Sequence, residues 1–307
     1  MFELEKWNRV CKMRIGISVN SSYPKVDART GAQWMIERVR AANAAGLDSL
    51  FVGDHHNTGA NYFQNTPMLG RLLAEWQGPT AGALFLLPLW HPVLLAEQVG
   101  TLAAIHPGKF VLQCGIGAGY KQFSALGANL KYRPSAFEDS IQALRQLWQG
   151  DTVSQDHRFS FSAAQVAPLP PEPIDIWIGA SAAVAIERAA KLGDGWLGAP
   201  SLTPDAAQQQ LEQYKAACGT LVGTCAIRRD IYVAENEADA TRFKAACLGY
   251  RGFEPEALVI GTIEQVNEMF VRLEAMGYTD VIVRSIAEDQ QQAVDSISRL
   301  SAITQRA

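Results

Sequence analysis

The chain has 307 residues, 48% hydrophobic and 19% charged, with 25 Gly and 14 Pro, a balance that excludes disordered, collagen-like and disulfide-scaffold classes. At about 150 residues per domain the length allows two domains, or one α/β barrel with a sizeable core. The net charge of −4, from 27 basic and 31 acidic residues with no long Lys/Arg run, argues against a nucleic-acid partner.

The charged opening MFELEKWNRVCKMR contains no apolar leader, and Cys11, Cys114, Cys218, Cys225 and Cys247 form no C-x-x-C pair. Reduced thiols and a cytoplasmic location are the expectation. The first strand signal is 14–19 (RIGISV), followed by a helix over 30–45 that Gly46 closes, and a second strand over 49–53 (SLFVG). The uncharged stretch 76–96 is interrupted by Pro79, Pro88 and Pro92, which exclude a continuous membrane span. It reads as a strand over 81–86 and a helix over 92–105. A strand over 110–115 (FVLQCG) precedes a helix over 135–148, with Ser135 and Glu138 spaced as a capping box.

The second half continues with strands over 175–179, 195–198 and 225–233 and helices over 182–192, 204–217 and 237–248. A helix over 263–276, between a Thr262–Gln265 capping box and Gly277, leads to the last strand, 280–283. Eight mostly unalternating strands separated by helices read as a single (β/α)8 TIM barrel of the α/β class, with a doubly wound open sheet as the rival. The connection over about 117–174 is twice the normal length and is expected to be an insertion running over the barrel mouth. One domain spanning 1–307 accounts for the length better than two.

In such a barrel the residues that follow the strands gather at one face, where active sites are built. Asn20 follows the first strand, and Asp54, His55 and His56 follow the second. His91 follows the third, the run GIGAGY from Gly115 to Tyr120 follows the fourth, and Gly179, Ala180 and Ser181 follow the fifth. An imidazole beside a carboxylate suits proton transfer near neutral pH. A His₂Asp metal site is disfavoured, because adjacent side chains at a strand end point to opposite faces. GIGAGY departs from G-x-G-x-x-G, with Tyr120 in place of the third glycine, yet its backbone N–H groups suit a close anion or a flat ring. It leaves S-adenosylmethionine binding open as a minor alternative. Gly179-Ala180-Ser181 before a helix suits a phosphate, and close helix packing explains the same small residues.

The ordered words RIGISV, AAGLDSLFVGDHH, LFLLPLWHPVLLAEQVGTLAAI, GKFVLQCGIGAGYKQF and IWIGASAAVAIERAAKLGDGW resemble the bacterial luciferase-like family of flavin-dependent oxidoreductases. The resemblance implies a (β/α)8 barrel with FMN across the strand ends. It places the catalytic histidine at His55 and a non-prolyl cis peptide under the flavin at Ala83 and Leu84. The phosphate side falls at Gly117, Ala118, Gly119, Tyr120 and Ser181. The luciferase cysteine near the flavin is Gly117 here and the phosphate-binding arginine is Ala118, which turns attention to Arg133, Lys121 and Arg188 for positive charge. The implied activity is an FMN-dependent monooxygenase that takes reduced flavin from a separate reductase and uses oxygen on a small organic substrate. Asp54 followed by His55 also resembles deazaflavin-dependent dehydrogenases and reductases of the same scaffold, and a non-catalytic flavin-binding barrel is the alternative from another class. A homodimer is the family expectation.

Overall fold

The structure is a computed structural model and describes residues 10–305; most of the charged opening, where no leader is expected, lies outside them. The first half runs β1 (Arg14–Val19), α1 (Ala28–Ala44), β2 (Ser49–Val52), α2 (Asn65–Leu72), β3 (Thr80–Leu86), α3 (Pro92–Ile105) and β4 (Lys109–Gly115). The long connection holds α4 (Tyr120–Ala125), α5 (Arg133–Trp148) and a hairpin of β5 (Val153–Asp156) and β6 (Ser160–Ala164). There follow β7 (Asp175–Gly179), α6 (Ala183–Leu192), β8 (Gly195–Gly198), α7 (Pro204–Cys218), β9 (Thr224–Val233) and α8 (Glu237–Ala246). The chain continues through β10 (Val259–Gly261), α9 (Ile263–Met276), β11 (Asp280–Ser285), α10 (Gln290–Arg299) and α11 (Ser301–Thr304).

Each of the eight expected strands forms. They pair in parallel in the order β9-β11-β1-β2-β3-β4-β7-β8, and the pairing of β8 with β9, from Gly195↔Thr224 to Gly198↔Ile227, closes the ring. The open-sheet alternative is therefore excluded. Strands covered on both faces need no apolar/polar alternation, and Leu50, Phe51 and Val52 are accordingly all fully buried. Alternation still decides direction. Phe51, Val111, Trp177, Leu197, Ala226 and Ile282 fill the lumen, while their sequence neighbours pack against the helices. Gly82 faces the same lumen, where a Cβ would stand 2.0 Å from the Val111 carbonyl oxygen. Beyond the ring, the end of β9 carries the unforeseen β10, paired from Val259↔Ile231 to Gly261↔Val233.

Local capping explains where helices start. Asp27 accepts from the backbone N–H groups of Arg29 and Thr30, so α1 begins ahead of the expected position 30. The Thr262–Gln265 capping box is present, and Thr203 caps α7. The Ser135–Glu138 box does not form, because α5 starts earlier, at Arg133. There Ser135 Oγ donates to the Tyr132 carbonyl at 3.0 Å, and Glu138 accepts from Arg188 Nε at 2.6 Å.

The long connection departs from expectation in its path. Its β5–β6 hairpin lies along α5, with Gln155 Nε2 donating to the Asp139 carbonyl at 3.2 Å and Val153 buried. Two parts of the connection reach the rim: α4, where the Lys121 carbonyl accepts from Asn57 Nδ2 at 3.2 Å, and the hairpin tip, where Arg158 stacks 3.9 Å over the Tyr132 ring and Phe159 and Phe161 meet His91. The chain then crosses α3 so closely that a Cβ on Gly100 would lie 2.4 Å from the Pro168 carbonyl oxygen. The body of the hairpin and the chain after it pack on α5 and α3, and so this part of the connection follows the flank. No described helix is long and apolar enough to cross a membrane.

Candidate active site at the barrel mouth

The loop after β2 is held by one buried carboxylate. Asp54 Oδ2 accepts from the Leu86 backbone N–H and from Trp90 Nε1, both at 2.8 Å, which ties the end of β2 to the turn after β3. Asp54 Oδ1 lies 3.1 Å from His56 Nε2. The His56 backbone N–H reaches Gln122 Oε1 at 3.4 Å, while Gln122 Nε2 donates to the Ala118 carbonyl. Buried Gln122 thus joins the histidine loop to the glycine turn of the next strand but one.

Adjacent side chains diverge at this strand end. His56 turns inward onto Asp54, and His55 is exposed, its ring edge-on to Tyr62 with the ring centroids 5.8 Å apart. A Cβ on Gly53 would stand 3.0 Å from the Tyr62 hydroxyl, a tight contact that the glycine avoids. Burial, and then the Asp54 charge, push the Tyr62 phenol up to about 12, against hydrogen bonding from Ser21, so it stays protonated at neutral pH.

Hydrogen bonding to Asp54, followed by its charge, raises the His56 pKa above the ordinary 6.5, against a lowering by burial. A raised folded-state value favours the protonated ring, so its contribution to stability is full below about 6.5 and is lost as pH rises through the folded value. Buried His106, pushed down by desolvation, gives the opposite slope. The expected result is that wild-type stability minus that of His56→Gln declines as pH rises from about 6.5, followed by chemical denaturation at several pH values. A difference that is flat with pH would remove the Asp54–His56 coupling.

The two glycine turns come together because β4 and β7 are neighbours in the ring. Gly117 and Gly119 take positive φ values of 68° and 90°, and nothing lies within 4 Å of a Cβ on Gly119. A Cβ on Gly179 would meet only the Cys114 carbonyl oxygen, at 3.5 Å. Tyr120 is exposed, as is Ser181. The Ala180 carbonyl accepts from Trp196 Nε1 at 2.8 Å, and no side chain caps the N-terminus of α6, which leaves its first N–H groups available. Of the three basic candidates, Arg188 is committed to Glu138 and Lys121 is exposed. Arg133 has a buried Nε without a partner and no ion pair among the described residues. Asn20 sits half-buried at the end of β1, on the lumen side by alternation.

Two expectations need correction. The Ala83–Leu84 bond is trans, and the cis bond among the described residues is Ala167–Pro168. An unbroken ladder, Ala83↔Leu112 and Leu84↔Gln113, runs through the expected position, and Asn65 Nδ2 donates to the Leu84 carbonyl at 2.7 Å. Ala83 packs on the helix side, leaving Leu84 to face the lumen. His91 stands apart from Asp54–His56. It is the N-cap residue of α3, in ring contact with Phe159 and Phe161.

A cationic group inside the barrel was missed. Arg228 and Asp230 on β9 and Arg284 on β11 share the lumen-facing parity of Ala226 and Ile282. Fully buried Asp230 accepts from Arg284 Nε at 2.9 Å and again from its terminal nitrogen, with Arg251 at 3.5 Å. Arg228 Nε is buried without a protein partner, and burial lowers the Arg228 pKa to about 10. Gln113 Nε2 and Trp177 Nε1 are likewise buried lumen donors with no partner. The signal was present in CAIRRDIYV, where charges at alternate positions break an apolar strand.

The profile of the luciferase-like monooxygenase family matches residues 13–301. An F420-dependent glucose-6-phosphate dehydrogenase of Nakamurella multipartita is 29% identical over 178 residues, 54% of this chain and 52% of that protein. The chain thus spans about half the length of the curated relatives it matches. Among solved structures, an F420-dependent secondary alcohol dehydrogenase in complex with an F420-acetone adduct superposes with a TM-score of 0.78 at 17% identity, covering 95% of this chain and 99% of that one. The oxygenating constituent of 3,6-diketocamphane monooxygenase from Pseudomonas putida, in complex with FMN, gives 0.80 at 17% identity, covering 95% and 98%. The closed barrel, the ordered words along it and the match over 13–301 together make this chain a member of the luciferase-like monooxygenase family.

Proposed function

We propose that this protein is a deazaflavin-dependent dehydrogenase or reductase that moves a hydride between the cofactor and a small alcohol or carbonyl compound. This reverses the order expected from the resemblance, which set FMN monooxygenation first. The observation that carries it is the sequence likeness to F420-dependent dehydrogenases and to a 5,10-methylenetetrahydromethanopterin reductase, joined to Asp54 followed by His55 at the end of β2.

The residues at the mouth fit a flat tricyclic ring with a phosphate tail. Gly115 and Gly179 leave open floor above β4 and β7, where an added Cβ would come no closer than 3.9 Å and 3.5 Å to any neighbour. The unpartnered donors of Gln113 and Trp177 suit ring carbonyls, and the uncapped start of α6 with Arg133 suits the phosphate. A bound deazaflavin supplies a hydride acceptor or donor. In alcohol oxidation His55 would take the hydroxyl proton on an imidazole nitrogen, and the deazaflavin would supply the acceptor for the hydride. Asp54 and His56 hold the loop that presents His55. The unpaired charge of Arg228 favours substrates with an anionic group.

The test is a pair of binding titrations with F420 and FMN, followed by oxygen-free turnover of F420 with a panel of sugar phosphates and secondary alcohols. F420 is expected to bind at least about tenfold more tightly, about 1.4 kcal/mol, and to be reduced without oxygen. Tighter FMN binding with substrate-dependent oxygen uptake would return the assignment to monooxygenation.

A further inference from the structure

A cavity of about 530 Å³ opens on the outside of the barrel, between the start of α7, α8, β10 and α9. Leu258, Ile260, Met269, Leu273 and Met276 form its apolar wall. Its volume falls within the range of small-molecule sites, and its two methionines can adapt to a flexible occupant. None of the residues discussed at the barrel mouth lines it.

One lining residue does not suit an apolar pocket. Alternation along β9 sends Arg228 and Asp230 into the lumen and Arg229 outward, where it is only 3% exposed. Its guanidinium makes two long contacts, to the carbonyls of Ala199 at 3.5 Å and Arg228 at 3.3 Å. A guanidinium carries five N–H donors, so these contacts leave most of its capacity unused. No ion pair holds it among the described residues, and the adjacent Asp230 is taken by Arg284 on the other face. Burial lowers its pKa to about 10, which leaves it charged at neutral pH. Lys244 and Arg272 add exposed cations around the opening, and Glu256 is the one carboxylate among the lining residues.

We infer that this cavity binds a medium-chain carboxylate, with the carboxylate on Arg229 and the alkyl chain against Leu258, Ile260, Met269 and Leu273. A single buried cation matches a monoanion, and the planar fork of arginine suits a carboxylate. A neutral alcohol of the same length would gain the apolar wall and leave the buried charge unpaired.

Calorimetry with decanoate below its micelle concentration tests this, with decanol as the neutral control. Saturable decanoate binding at least tenfold tighter than decanol is expected, undiminished by bound F420 or by Arg284→Met in the barrel. Arg229→Met keeps the bulk, removes the charge, and should weaken decanoate at least tenfold while leaving F420 affinity unchanged. If that variant does not fold, the rim variant Lys244→Glu/Arg272→Glu should still weaken decanoate binding. Equal affinity for acid and alcohol, absent saturable binding, competition by F420, or full binding by every folded variant would each overturn the assignment.

Discussion

Asp230→Ala is expected to lower the stability of the protein by about 3 kcal/mol, the low end for breaking a buried ion pair because Arg284 retains 16% exposure. The carboxylate is fully buried and faces Arg284 and Arg251, with Arg228 close by on the same strand face. Removing it leaves like charges together in the lumen without a counter-ion, so the cost is that of stranded charge, beyond the lost contact. The double variant Asp230→Ala/Arg284→Met should recover most of the loss, because it removes the stranded partner as well. Thermal or denaturant unfolding of the two variants checks both statements. A double variant no more stable than the single one would show that the carboxylate acts through packing.

His55→Ala is expected to lower turnover about 10²- to 10⁴-fold, the usual worth of a positioned proton-transfer group. Cofactor affinity should stay at the wild-type level, since the ring is exposed and packs edge-on against Tyr62. His56→Gln should fall less in rate and should shift the pH profile, because His56 acts through Asp54 on the loop conformation. Rates with the substrate found in the oxygen-free screen, measured across pH for each variant, separate the two roles. Wild-type turnover in His55→Ala would remove this histidine from the chemistry.

Much of the molecule was legible because its signals are local. Apolar β-rich runs such as SLFVG mark buried strands wherever they occur, and Thr262 with Gln265 form their capping box within four residues. The Asp54-His55-His56 word and both glycine turns were found for the same reason. Even local signals failed where two competed. Arg133-Pro134 starts α5 ahead of Ser135, and Asp27 outcompetes Thr30 as the start of α1.

By itself the sequence determined the strand and helix alternation and the candidate residues at the ends of β1, β2, β4 and β7. Each of these depends on periodicity or on neighbours within a few positions. Only the tertiary structure decided that β8 closes on β9, that the β5–β6 hairpin lies along α5, and that His56 and not His55 meets Asp54. It alone placed Arg228 and Asp230 in the lumen beside Arg284, and Arg229 in a separate cavity. Those outcomes depend on which face each side of a strand meets and on groups more than fifty residues apart, as with Arg284 and Asp230. The pairing of β9 with β11 gathers Arg228 and Arg284 around Asp230 in the lumen, although the two strands are far apart in sequence.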